Sequence, residues 1–107
     1  MRSIKVSTLG GPDVLEVAQF DLPGLGADEC RVAVEVVGLN YWDVMQRRGD
    51  VPLPASRIPG VEGAGTVVEV GASVTDLHPG DRVAWSKVQG SCAEQVQAPS
   101  QWFIRLP

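Results

Sequence analysis

The residues best equipped for chemistry lie in two short stretches, Gly38-Leu39-Asn40-Tyr41-Trp42 and Gly60-Val61-Glu62-Gly63-Ala64-Gly65. The Asn40 side chain offers an oxygen that suits a helix N-cap, and capping leaves its amide nitrogen free to donate elsewhere. Tyr41 and Trp42 offer flat faces to a ring system, although core packing is the ordinary fate of a tryptophan. Three glycines within six residues admit close approach of a backbone or a ligand, and would equally let a strand bend. Glu62, a charge among those glycines, calls for a partner.

Other groups promise less. A dinucleotide fingerprint needs a third glycine three residues after the second, and a helix behind it to receive the pyrophosphate. Gly63-Ala64-Gly65 meets Val68 at that point and runs into a strand pattern, while Gly24-Leu25-Gly26 meets Glu29. Neither is a Rossmann fingerprint. A catalytic zinc takes three protein ligands and a water. Here His78 is the single histidine, set in a solvated Leu-His-Pro-Gly turn, and Cys30 and Cys92 stand far apart. No metal site is expected. Both cysteines read as reduced and unpaired, and Cys92 as buried and inert.

The elements that must position these residues follow from pattern. Residues 2–7 and 14–20 flank Gly10-Gly11-Pro12-Asp13 and read as a hairpin. Residues 30–37 alternate, with Cys30, Val32, Val34 and Val36 on one face and Arg31 and Glu35 on the other: a half-buried strand. Residues 41–48 break the alternation and read as one short helix, with Trp42, Met45 and Tyr41 sharing a face. Asn40 caps it, Asp43 favours its positive end, Gly49 stops it and Arg47-Arg48 form a solvated last turn. Three prolines make 50–59 an irregular loop. Residues 62–70, 82–85, 92–97 and 102–106 read as further strands between tight turns. The sum is a mainly β, partly open barrel with one short helix, a shape that protects its edges.

The chain's 107 residues suffice for one domain, taken as 1–107. A net charge of −4 argues against a nucleic-acid partner. No apolar run approaches the roughly 20 residues of a membrane helix. The start, Met1-Arg2-Ser3-Ile4-Lys5, lacks the apolar stretch of a signal peptide, so a cytoplasmic setting is expected.

The ordered series GGPDVLEV (10–17), GLNYWDVMQRRG (38–49), IPGVEGAGTVVEVG (58–71), GDRVAW (80–85) and GSCAEQV (90–96) resembles the N-terminal, GroES-like part of the medium-chain dehydrogenase/reductase superfamily, in its zinc-independent quinone oxidoreductase and enoyl reductase branch. The resemblance implies a GroES-like fold, NADPH as cofactor and a quinone or activated alkene as substrate. It places Asn40 beside the nicotinamide and the substrate carbonyl, as catalytic and cofactor-binding residue, with Tyr41, Met45 and Val61 completing the cofactor-facing set. Zinc-dependent relatives have a Cys where this chain has Asn40 and a His where it has Val61, and their cysteine-rich loop is missing between Gly80 and Glu94. Many quinone reductases have a tyrosine where Met45 stands, so no tyrosine proton donor is expected there. Cys92 replaces a common aromatic residue.

The resemblance implies a nucleotide-binding Rossmann domain beyond this region, which these residues are expected to lack. The expectation is therefore the catalytic-domain portion of a quinone or enoyl reductase, inactive alone. An excised piece, a split enzyme completed by a separate nucleotide-binding chain, and a reduced protein compete as its origin; self-association is a further way to cover the missing contacts. The competing function is a stand-alone GroES-like binding module without redox activity, engaging a partner through the barrel and the 50–59 loop.

Overall fold

The computed structural model describes residues 1–107. Strands β1 (Arg2–Val6) and β2 (Leu15–Gln19) form an antiparallel hairpin, closed by a 3-10 turn at Pro12–Val14. Five further strands, β3 (Glu29–Gly38), β4 (Glu62–Val70), β5 (Arg82–Trp85), β6 (Gln95–Pro99) and β7 (Ile104–Arg105), make one antiparallel sheet in the order β6-β3-β4-β5-β7. The hairpin joins the rest through a bridge between Ser3 and Ala93. The assembly is mainly β and partly open, as the pattern of strands and turns predicts.

Long β3 and β4 carry the sheet because their inward positions are β-branched or small. Cys30, Val32, Val67, Val83 and Val96 are buried with Leu77, Val88, Trp85 and Phe103. Trp85 meets Phe103 edge-on at 5.6 Å between ring centroids, and its indole N–H donates to Ser91 Oγ at 2.9 Å. The Ser91 hydroxyl in turn donates to the Val88 carbonyl, so no polar group of this corner is left unpaired.

Several expectations need correction. The alternation of β3 fails at its end: the pairing with β4 shifts between Val34 and Val36, and Val36 is 61% exposed. A bulge of this kind turns the following side chains to the other face. The strand placed at 92–97 begins at Gln95, because residues 92–94 instead bond the hairpin, and the strand placed at 102–106 shrinks to two residues behind a 3-10 turn at Ser100–Trp102. Arg47 is not a solvated helix end. Its guanidinium donates to the Gly10 carbonyl at 3.0 Å, and its own carbonyl accepts the Gly10 N–H at 2.8 Å.

The helix, α1 (Tyr41–Arg48), has the predicted bounds and ends on Gly49 in the left-handed conformation. Its inward residue is polar. Gln46 is 0% exposed, whereas Trp42 lies largely outside the core and Tyr41 is 64% exposed. No helix is long and apolar enough to cross a membrane.

Candidate functional site

Strand register builds the site. Gly38, last residue of β3, pairs with Glu62, first residue of β4. A Cβ at Gly38 would collide with the Glu62 side chain, so the glycine makes the space in which that carboxylate lies. From there Glu62 Oε1 accepts a hydrogen bond from the Asn40 Nδ2 at 2.7 Å. The partner that Glu62 requires is thus Asn40, and the Asn40 amide nitrogen is not left free by the cap.

At the helix start the firm contact is made by Asp43, whose Oδ2 accepts the Asn40 N–H at 2.9 Å. The Asn40 carboxamide oxygen faces the Asp43 N–H as in a capping box, without completing a well-formed side-chain hydrogen bond. Asp43 Oδ1 is buried with no hydrogen-bond partner. Two carboxylates, from Asp43 and Glu62, therefore crowd the positive end of α1.

Gln46 holds the Gly60 loop to the helix. Its Oε1 accepts the Gly60 N–H at 3.1 Å, and its Nε2 donates to the Pro52 carbonyl at 3.2 Å and to Gln89 Oε1 at 3.1 Å. Gly60 takes φ 97°, a left-handed turn open to glycine at little cost. Residues 59–61 are zipped to 88–92 by the Val88 N–H to Val61 carbonyl, Ser91 N–H to Gly60 carbonyl and Cys92 N–H to Pro59 carbonyl bonds. Composition gave no hint of Gln46: an apolar-face search along 41–48 passes over a glutamine. Gly63 and Gly65 serve strand packing, since a Cβ at either would run into a carbonyl of β3.

Asn40 opens on a cleft of about 420 Å³ between the hairpin and α1, lined by Ile4, Leu15, Val17, Leu39, Val44 and Pro59 together with the charged Glu16, Asp43 and Arg47. A second groove of about 490 Å³ runs on from it along β3, sharing Ile4, Val17, Leu39 and Cys92. The walls are largely aliphatic and open; Leu39 is 83% exposed. Tyr41, Met45 and Val61 line neither cavity. Tyr41 turns outward and its hydroxyl accepts from Arg48 at 3.0 Å, while Met45 and Val61 are half-buried on either side of the Gln46 tie. The structure thus joins Asn40 to Glu62 and Asp43, not to the other three predicted residues.

Cys92 lies at the junction of the two cavities, half-buried instead of buried. Burial, and then the negative charge of Asp43, pushes its thiol up to about 11. Burial also raises Cys30, with a smaller contribution from Asp76. Glu94 is held below the usual carboxylate range by the Arg2 backbone N–H and guanidinium, a contact that pins the start of β1. His78 is exposed beside Asp81, and no three His, Cys, Asp or Glu side chains converge as a metal-ligand set.

A mainly β, GroES-like domain with an amide at the mouth of an aliphatic cleft is the class that fold and site define. The chain belongs to the alcohol dehydrogenase GroES-like domain family, which matches residues 26–106. It is 40% identical over 110 residues to a quinone oxidoreductase of Pseudomonas aeruginosa, covering 99% of this chain and 33% of that protein. The crystal structure of a quinone oxidoreductase from Pseudomonas syringae superposes with a TM-score of 0.93 at 36% identity, over 99% of this chain and 33% of that one. An Escherichia coli quinone oxidoreductase complexed with NADPH gives a TM-score of 0.89 at 29% identity, over 100% and 33%. The chain spans about a third of the length of each.

Proposed function

We propose that this chain supplies the substrate-facing wall of an NADPH-dependent quinone or enoyl reductase, acting without zinc in a cytoplasmic setting that suits its unpaired thiols. The observation that carries the reading is the Asn40 amide at the rim of a cleft with aliphatic walls. A flat, neutral quinone or activated alkene fits such walls, and one amide donor suits one carbonyl oxygen. As hydride adds to the acceptor, negative charge grows on that oxygen, and a positioned N–H stabilises it most where water is excluded. NADPH supplies the hydride when bound. Tyr41, Met45 and Val61 are assigned to the cofactor side, around the outer face of α1 and the start of β4.

The residues of this chain do not fit the pyrophosphate of that cofactor. At its one helix N-terminus the Asn40 N–H is bonded to Asp43 and Glu62 lies alongside, two anionic groups where a phosphate would sit. Those anchors belong to the nucleotide-binding part of such an enzyme.

The test is a chimera in which residues 1–107 replace the matching third of the P. aeruginosa quinone oxidoreductase. NADPH-dependent quinone reduction is expected without bound zinc by elemental analysis. Asn40→Ala should lower kcat on the order of 100-fold, the loss typical of removing one such donor. A folded, active chimera indifferent to Asn40→Ala would remove Asn40 from the chemistry. A folded but inactive chimera would favour a binding module instead.

A further inference from the structure

We infer that Glu62 is a positioning residue that fixes which end of the Asn40 carboxamide meets the substrate; the inference rests on the reading of Asn40 as the polarising amide. A carboxamide has two nearly isosteric ends, and a rotation of half a turn exchanges donor for acceptor. In one orientation Nδ2 donates to Glu62 Oε1 at 2.7 Å and Oδ1 faces the Asp43 N–H. In the other, Oδ1 would lie against the Glu62 carboxylate and Nδ2 against an N–H. The Glu62 end decides between them, because the Asp43 N–H already bonds the Asn40 backbone carbonyl at 3.0 Å. A charge-assisted bond weights the choice further.

The geometry is specific to these three positions. The β3–β4 register sets Glu62 opposite Gly38, the missing Gly38 side chain admits the carboxylate, and Asp43 holds the Asn40 backbone from the other side. Nδ2 carries two protons. One is spent on Glu62, which leaves one for the cleft. The site therefore presents a single N–H beside a carboxylate, in a cleft that Arg47 also lines, a combination that suits a neutral carbonyl oxygen.

The side-chain amide of Asn40 in the isotopically labelled 107-residue chain reports the contact directly by NMR, assigned by its loss in Asn40→Ala. One Nδ2 proton should resonate downfield and exchange with solvent more slowly than in an asparagine whose amide has no hydrogen-bond partner. Glu62→Ala should collapse that difference, and Glu62→Gln, whose carbonyl still accepts, should largely restore it. Free-amide behaviour in the unaltered chain overturns the inference, whether or not Glu62→Ala folds. So does an unchanged resonance in a folded Glu62→Ala.

In the chimera, Glu62→Ala should lower kcat on the order of 10-fold with KM little moved, less than loss of the donor itself. The double variant with Asn40→Ala should be no worse than Asn40→Ala alone. Full turnover in Glu62→Ala beside a crippled Asn40→Ala overturns the positioning role and leaves the reading of Asn40 standing. Full turnover in both overturns that reading itself, and the amide resonance still tells whether Glu62 orients the side chain.

Discussion

The Cys92 thiol sits where two cavities meet, against Gly60, and an added Cβ at that glycine would strike its sulfur. A thiol at a cleft wall is a nucleophile in waiting only if it ionises, because the thiolate is the reactive form. Here its surroundings work the other way: burial first and the Asp43 carboxylate second lift its value from 9.0 to about 11. The raised value belongs to the folded state, so an unfolded chain would release the proton first. The thiol's contribution to stability is whole below the unfolded value and is lost as pH rises through the window up to about 11. Alkylation by iodoacetamide should therefore be slow at Cys92 in the native chain near neutrality, rise steeply toward that value, and move to lower pH in Asp43→Asn. Rapid labelling of native Cys92 near neutrality would contradict this. At the same scale, Glu62 shows what residue types alone convey. Its need for a partner is plain from a charge among glycines, but the partner lies 22 positions away and is chosen by strand register.

The 50–59 loop, α1 and the 88–92 turn meet around Gln46, which is 0% exposed and bonds Pro52, Gly60 and Gln89. A short helix has too few turns to be held by an apolar stripe alone. This one is tied by a satisfied polar side chain within and by the Arg47–Gly10 bonds at its end. Gln46→Leu keeps the volume but strands the buried Gly60 N–H, while the exposed Pro52 and Gln89 can turn to water. With one unsatisfied buried group costing about 1–3 kcal/mol, the variant should lose about 2 kcal/mol. Urea unfolding followed by tryptophan fluorescence measures it, and a loss within error of zero would show that the tie is dispensable. Turn chemistry and local pattern made most elements legible: the hairpin, the helix bounds and β4 and β5 follow from glycines, prolines and alternation. What escaped was non-local. The bulge that turns Val36 outward and the late start of β6 depend on what each segment pairs with, and pairing is invisible to a period-2 search.

At the scale of the whole molecule, the open sheet and hairpin leave apolar surface uncovered along one continuous hollow. Val17, Val36 and Leu39 line it, each more than half exposed. An exposed patch of this kind favours association or a covering partner. The chain's charge distribution fixes what the hollow does not do alone. A nicotinamide dinucleotide is anchored chiefly through its pyrophosphate and ribose, at a glycine-rich turn leading into a helix. At the start of the one helix the N-cap Asn40 N–H bonds the Asp43 carboxylate and its side chain bonds Glu62, so a phosphate would meet two negative charges there. The nicotinamide end, which we propose faces Asn40, would be the smaller share of the binding. Hydride transfer further requires donor and acceptor carbons to be held at near-attack distance, which one wall of a cleft cannot do. The 107-residue chain by itself should therefore show no saturable heat with NADPH in the micromolar range and no quinone reduction. Sedimentation should show it self-associating as concentration rises, with Leu39→Ser shifting the balance toward monomer. Micromolar NADPH binding with steady turnover from these residues alone would mean that the cofactor finds its anchor in this domain, and that the two carboxylates at the helix start do not exclude it.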